Sequence, residues 1–78
     1  MIITVYSKDN CPNCVTAKQL LKSRNLPFEE RDVANPEVMS QLINTWPEAK
    51  QLPQIFIDGQ RVGGLAGLQA ALKQIGHA

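Results

Sequence analysis

The order of apolar runs and helix signals predicts an α/β domain, β-α-β-α-β-β-α, with a four-stranded mixed sheet and three helices on its two faces. Three observations carry this. Short β-prone runs at residues 2–6 and 55–57 lie outside longer segments whose apolar residues recur at helical spacing. Proline follows a capping-type residue at Cys11-Pro12 and Asn35-Pro36. Asp58-Gly59 stands between two strand-like runs, the strongest local signature of a two-residue hairpin.

Each element follows from its residues. Residues 2–6 are apolar and short enough for a buried strand that feeds the cysteine segment. From residue 12 to about 24, Cys14, Ala17 and Leu21 share one face, Val15 and Leu20 flank it, and Lys18, Lys22 and Arg24 reach solvent, until Asn25 and Pro27 end the helix. Residues 28–33 put Glu29, Glu30, Arg31 and Asp32 between Phe28 and Val33, a pattern suited to an edge strand. Asn35 caps a second amphipathic helix, in which Val38, Met39, Leu42, Ile43 and Trp46 recur until Pro47. Residues 55–57 and 60–62 form the antiparallel hairpin, stopped by Gly63-Gly64. Leu65, Leu68, Leu72 and Ile75 then mark a third helix that Gly76 terminates. A right-handed crossover makes the first two strands parallel, and the hairpin extends the sheet on the first strand's side.

With 78 residues there is room for one small domain, spanning residues 1–78. The net charge of +1 and the absence of a basic run leave no electrostatic footprint for nucleic acid. No apolar stretch approaches membrane-spanning length. The first residues lack a charged n-region and a cleavage pattern, so a cytoplasmic setting is expected.

The chemistry lies in Cys11-Pro12-Asn13-Cys14, which holds both cysteines of the chain. With Cys11 at the N-cap and Cys14 one turn in, the two share a helix face at about 5–6 Å between Cβ atoms, near the distance a disulfide closes. Cys11, exposed at the helix start, faces unsatisfied N–H groups and the positive end of the helix dipole, which favour a thiolate and make it the expected nucleophile. Cys14 faces the interior, where burial favours the neutral thiol, and is the expected resolving cysteine. Pro12 suits the first helical position, and Lys8 and Lys18 add positive charge near the sulfurs. Taken alone, the motif also admits two ordinary buried cysteines or half of a zinc site. The other soft ligand, His77, leaves a four-ligand zinc site incomplete, so no metal is expected.

Val5-Tyr6-Ser7-Lys8 leading into Cys11-Pro12-Asn13-Cys14, then Leu52-Pro53-Gln54-Ile55-Phe56-Ile57-Asp58-Gly59, then Gly63-Gly64-Leu65, together resemble a glutaredoxin of the thioredoxin superfamily over nearly the whole chain. The resemblance implies the thioredoxin fold and thiol–disulfide exchange, with glutathione as co-substrate and no tightly bound cofactor. It implies a cis peptide bond before Pro53, which would turn the Leu52 backbone outward to pair with glutathione or a protein substrate. It further implies that Lys8 meets a glutathione carboxylate and that Tyr6 stands beside the site. Gly63-Gly64, followed by Leu65 and by the backbone N–H groups of Ala66 and Gly67, would receive the γ-glutamyl end. Pro12, Asn13 and Gln51 complete the expected substrate surface.

The chain departs from the family pattern in two places. Leu65-Ala66-Gly67 replaces the hydrogen-bonding side chains that many glutaredoxins carry after the glycines, and Asn13 replaces the tyrosine of C-P-Y-C. Gln51-Leu52-Pro53 is similar to the proline motif of NrdH-type redoxins, which are reduced by thioredoxin reductase and supply ribonucleotide reductase, although the W-S-G-F-like segment of that family is replaced by Val62-Gly63-Gly64-Leu65. A [2Fe-2S] carrier, with two chains sharing a cluster through Cys11 and glutathione, and a noncatalytic docking module are the remaining alternatives. The expected partners are therefore glutathione and disulfide-bearing proteins, with thioredoxin reductase and ribonucleotide reductase in the alternative, and the expected state is a monomer.

Overall fold

The computed structural model describes residues 1–49 and 51–76; His77 lies outside them. The elements run β1 (Ile3–Ser7), α1 (Pro12–Ser23), β2 (Glu29–Asp32), α2 (Pro36–Thr45), β3 (Gln54–Ile57), β4 (Gln60–Gly63) and α3 (Leu65–Gln74). This is the expected order, in a thioredoxin-like arrangement. The sheet order is β2-β1-β3-β4, with β1 parallel to β2 and antiparallel to β3, and β3 antiparallel to β4. The charged strand β2 is at an edge, as its composition requires.

Alternation along the two central strands separates two apolar layers. Ile3 and Val5 of β1 and Ile55 of β3 are buried with Ala17 and Leu21 of α1 and Leu68 and Leu72 of α3. On the opposite face Phe56 packs with Leu42 of α2, Val33 and Ala49, and Tyr6 and Trp46 close over them. Each fully buried leucine contributes about 1.5–3 kcal/mol through apolar area removed from water. Three residues of the helical patterns stay outside this core: Val15 on α1, Ile43 on α2 and Ile75, just beyond α3, are exposed.

Local chemistry sets the boundaries. Asn35 Oδ1 accepts the Glu37 N–H at 2.9 Å, and Pro36 opens α2. Asp58 and Gly59 have φ of 51° and 81°, the pair of positive values a type I′ turn demands. The register of β3 and β4 then shifts, from Phe56↔Arg61 to Ile55↔Gly63, leaving Val62 as the extra residue of a bulge. Val62 points into the α1/α3 layer, and its carbonyl faces α3.

Candidate functional site: a cysteine pair beside a groove

The site forms where β1 ends and α1 begins. Cys11 has extended backbone angles, φ −118° and ψ 100°, and caps α1; Pro12 is the first helical residue. Cys11 Sγ accepts the Cys14 N–H at 3.2 Å, and the Val15 N–H reaches the Cys11 carbonyl at 3.1 Å. The cysteine sulfur thus occupies the place of a capping oxygen and satisfies a donor of the first turn. Cys11 and Cys14 are joined by a disulfide with their Cα atoms 5.2 Å apart. Cys14 shares its helix face with Ala17 and Leu21, all three fully buried.

The expectation of an exposed Cys11 is corrected: it keeps 7% of its surface. The Leu52 carbonyl oxygen lies 3.8 Å from Cys11 Sγ, so the α2–β3 loop covers the sulfur from one side. The bond between Leu52 and Pro53 is cis, as expected, and Pro53 is buried.

A groove of about 320 Å³ runs from this loop to the start of α3. Asn13, Gln51, Leu52, Pro53, Gly63, Gly64, Leu65 and Ala66 line it, as does Gly67. The two expected residues placed elsewhere are Pro12, exposed at the helix start, and Lys8. Lys8 lines a separate depression with Ser7, Asp9, Lys18, Glu30 and Asp32, on the β1–β2 side. Lys18 is paired with Glu30, which also accepts from Ser7 Oγ at 2.8 Å. The Lys18 hydrogen bond and then that of Ser7 hold the Glu30 carboxyl below its ordinary value. Glu30 therefore offsets the positive charge that Lys18 would bring to the sulfurs. Tyr6 packs edge-on against Phe56, ring centroids 5.5 Å apart, in the α2-side layer, which is the role of a half-buried strand residue.

Two groove residues escape a reading of the sequence alone. Gln54 is buried; its Nε2 donates to the Gln51 carbonyl at 2.7 Å, and its Oε1 accepts from Arg61 Nε at 2.9 Å. Arg61 Nη1 also lies 3.5 Å from Glu48. The bulge gives Gly67 its reason: a Cβ there would meet the Val62 carbonyl oxygen at 1.8 Å, so only glycine lets α3 start this close to β4. Gly63 has φ of 98°, in the left-handed region open to glycine.

This arrangement can open and close a disulfide beside a groove lined by the Leu52-Pro53 loop and the Gly63-Gly64 pair. Comparison with known proteins agrees. Glutaredoxin 1 of Rickettsia conorii is 41% identical over 68 residues, which cover 85% of this chain and 67% of that protein. The crystal structure of glutaredoxin 1 from Francisella tularensis, complexed with cacodylate, superposes with a TM-score of 0.79 at 27% identity, covering 99% of this chain and 98% of that one. NrdH-redoxin from Escherichia coli, a glutaredoxin-like protein with a thioredoxin-like activity profile, superposes at 0.76 with 25% identity, covering 90% and 93%. The glutaredoxin family model matches residues 3–62, a span that takes in both cysteines, the proline loop and the hairpin. The chain belongs to the glutaredoxin family of the thioredoxin superfamily.

Proposed function

We propose that the chain is a dithiol thiol–disulfide oxidoreductase recharged by glutathione, working in the reducing cytoplasm, where such a pair is returned to thiols. One observation supports it above the others: an N-capping sulfur, Cys11, is bonded to a fully buried one, Cys14, and rests against Leu52, which lines the groove. The N–H of Cys14 and the start of α1 favour negative charge on Cys11 Sγ.

In the reduced protein the Cys11 thiolate attacks one sulfur of a substrate disulfide. That S–S bond breaks, a Cys11–substrate disulfide forms, and the displaced thiolate leaves with the electron pair and takes a proton from water. Cys14 then loses its proton and attacks Cys11 Sγ. The mixed disulfide breaks, the Cys11–Cys14 bond forms, and the second substrate thiolate leaves and is protonated. Two electrons have passed from the dithiol to the substrate. Two glutathione thiols reverse both steps and leave as glutathione disulfide. Leu52, at the groove and against Cys11 Sγ, supplies backbone groups for an extended substrate to pair with.

Exchange by single-cysteine variants tests the roles. Cys11→Ser is expected to lose all exchange, whereas Cys14→Ser keeps the removal of glutathione from mixed disulfides; equal loss in both contradicts the assignment. A second reading draws on Leu65, Ala66 and Gly67, which bring no side-chain hydrogen-bonding group to the groove. In it, the chain is reduced by thioredoxin reductase and serves ribonucleotide reductase. Comparing reduction of the oxidised protein by glutathione with glutathione reductase, and by thioredoxin reductase with NADPH, separates the two.

A further inference from the structure

The charge of the groove points to a class of substrate. Among the described residues Arg61 is the only charged side chain lining it, and no carboxylate does. Position 67 cannot supply one without displacing β4, because its Cβ would fall 1.8 Å from the Val62 carbonyl oxygen. Position 66 is alanine and position 65 leucine. A substrate ammonium entering this groove meets a cation and no carboxylate among the described lining residues, and a substrate carboxylate meets a donor.

Arg61 is also held in place. Its Nε bond to buried Gln54 fixes the plane of the guanidinium, and Gln54 is anchored in turn on the Gln51 carbonyl, one residue before Leu52. The guanidinium therefore stands in a defined relation to the loop against which Cys11 Sγ rests. Its other contact is loose: Glu48 sits 3.5 Å away with 61% of its side chain exposed, the kind of surface pair that a competing carboxylate displaces at little cost. A planar, preorganised guanidinium with a displaceable partner is suited to bidentate carboxylate capture.

We infer that Arg61 is a specificity residue that makes the groove select disulfides borne on acidic protein segments, with a carboxylate next to the docked half-cystine. This rests on the thiol–disulfide reading above.

The test uses the full reduced protein with two symmetric peptide disulfides, Gly-Glu-Cys-Glu-Gly and Gly-Lys-Cys-Lys-Gly, both blocked at their ends, and reads the single-turnover rate of thiol release. Bis(2-hydroxyethyl) disulfide, which is neutral, reports on the exchange reaction alone; failure there overturns the proposed function, not the charge selectivity. The acidic-to-basic rate ratio is compared between wild type and Arg61→Gln, so that the intrinsic reactivities of the peptides cancel. Wild type is expected to exceed Arg61→Gln in this ratio by on the order of fivefold, the sum of attraction for one peptide and repulsion of the other at a partly exposed site. Arg61→Lys keeps most of the preference, and about 0.5 M salt erodes it. The same ratio in wild type and Arg61→Gln overturns the inference. So does a ratio that falls as far in Arg61→Lys as in Arg61→Gln, which would trace the preference to loop geometry instead of charge.

Discussion

Replacing Gly67 by alanine puts the packing of the groove wall to the test. The added Cβ would lie 1.8 Å from the Val62 carbonyl oxygen and 2.8 Å from its carbon, both backbone atoms in a strand that is paired to β3. To restore an ordinary carbon–oxygen contact, α3 or β4 must retreat by roughly 1.5 Å. Neither neighbour yields easily. Leu68, the next residue of α3, is fully buried in the α1/α3 layer, and Val62 packs against the same layer. Overpacking of this kind costs about 1–3 kcal/mol beyond what relaxation recovers. Alanine returns up to about 1 kcal/mol through its better helix propensity, so the net loss is about 1–2 kcal/mol. In a domain of this length that lowers Tm by roughly 4–15 °C. Thermal unfolding followed by circular dichroism, with wild type and variant both fully oxidised, reads the change directly. A Tm equal to or above that of wild type would refute the close approach of α3 to β4, and with it the account of why no side chain occupies this part of the groove.

Two further outcomes follow from the contacts. Asn35→Ala removes the cap of α2 and is expected to cost about 1 kcal/mol in urea unfolding, with the slope unchanged; a loss within error would mean that Pro36 alone sets the start of that helix. Because the folded state holds the Glu30 carboxyl below its ordinary 4.5, its contribution is present above that pH and is lost as pH falls through the folded value. Lys18→Met removes the largest cause of that depression, so the variant should be slightly less stable than wild type at neutral pH and lose less stability as pH falls below 4.5, the two converging in acid, by a small amount because Glu30 is partly exposed. An unchanged acid limb would contradict the pairing.

Much of the architecture was legible because local chemistry and tertiary packing agree. Asn35-Pro36, Cys11-Pro12 and Asp58-Gly59 name their own backbone conformations, and the charges of residues 29–32 announce an edge strand. What escaped depends on residues brought together from afar. Arg61 stands just past a turn with nothing nearby in sequence to give it a role, and only the β3–β4 pairing carries it to Gln54 and the groove. Lys18 reads as a cation near the sulfurs, but the parallel pairing of β1 with β2 brings Glu30 and Ser7 to meet it. The cover over Cys11 comes from Leu52, far along the chain, so a helix start that looks open in sequence is roofed in the fold. Gly67 was visible as a departure from the family pattern, but its steric reason lies in the bulge at Val62, which no spacing rule reveals.

The central claim is that Cys11 is the ionised, reachable sulfur and Cys14 the hidden one. Alkylation of the fully reduced protein with limiting iodoacetamide across a pH series, with the modified cysteine located by mass spectrometry, tests it most directly. The account predicts modification at Cys11 first, with the rate rising at a pH below the value of about 8.5 typical of a free cysteine. Modification of Cys14 first, or a rate at Cys11 that climbs only at or above that value, would contradict it.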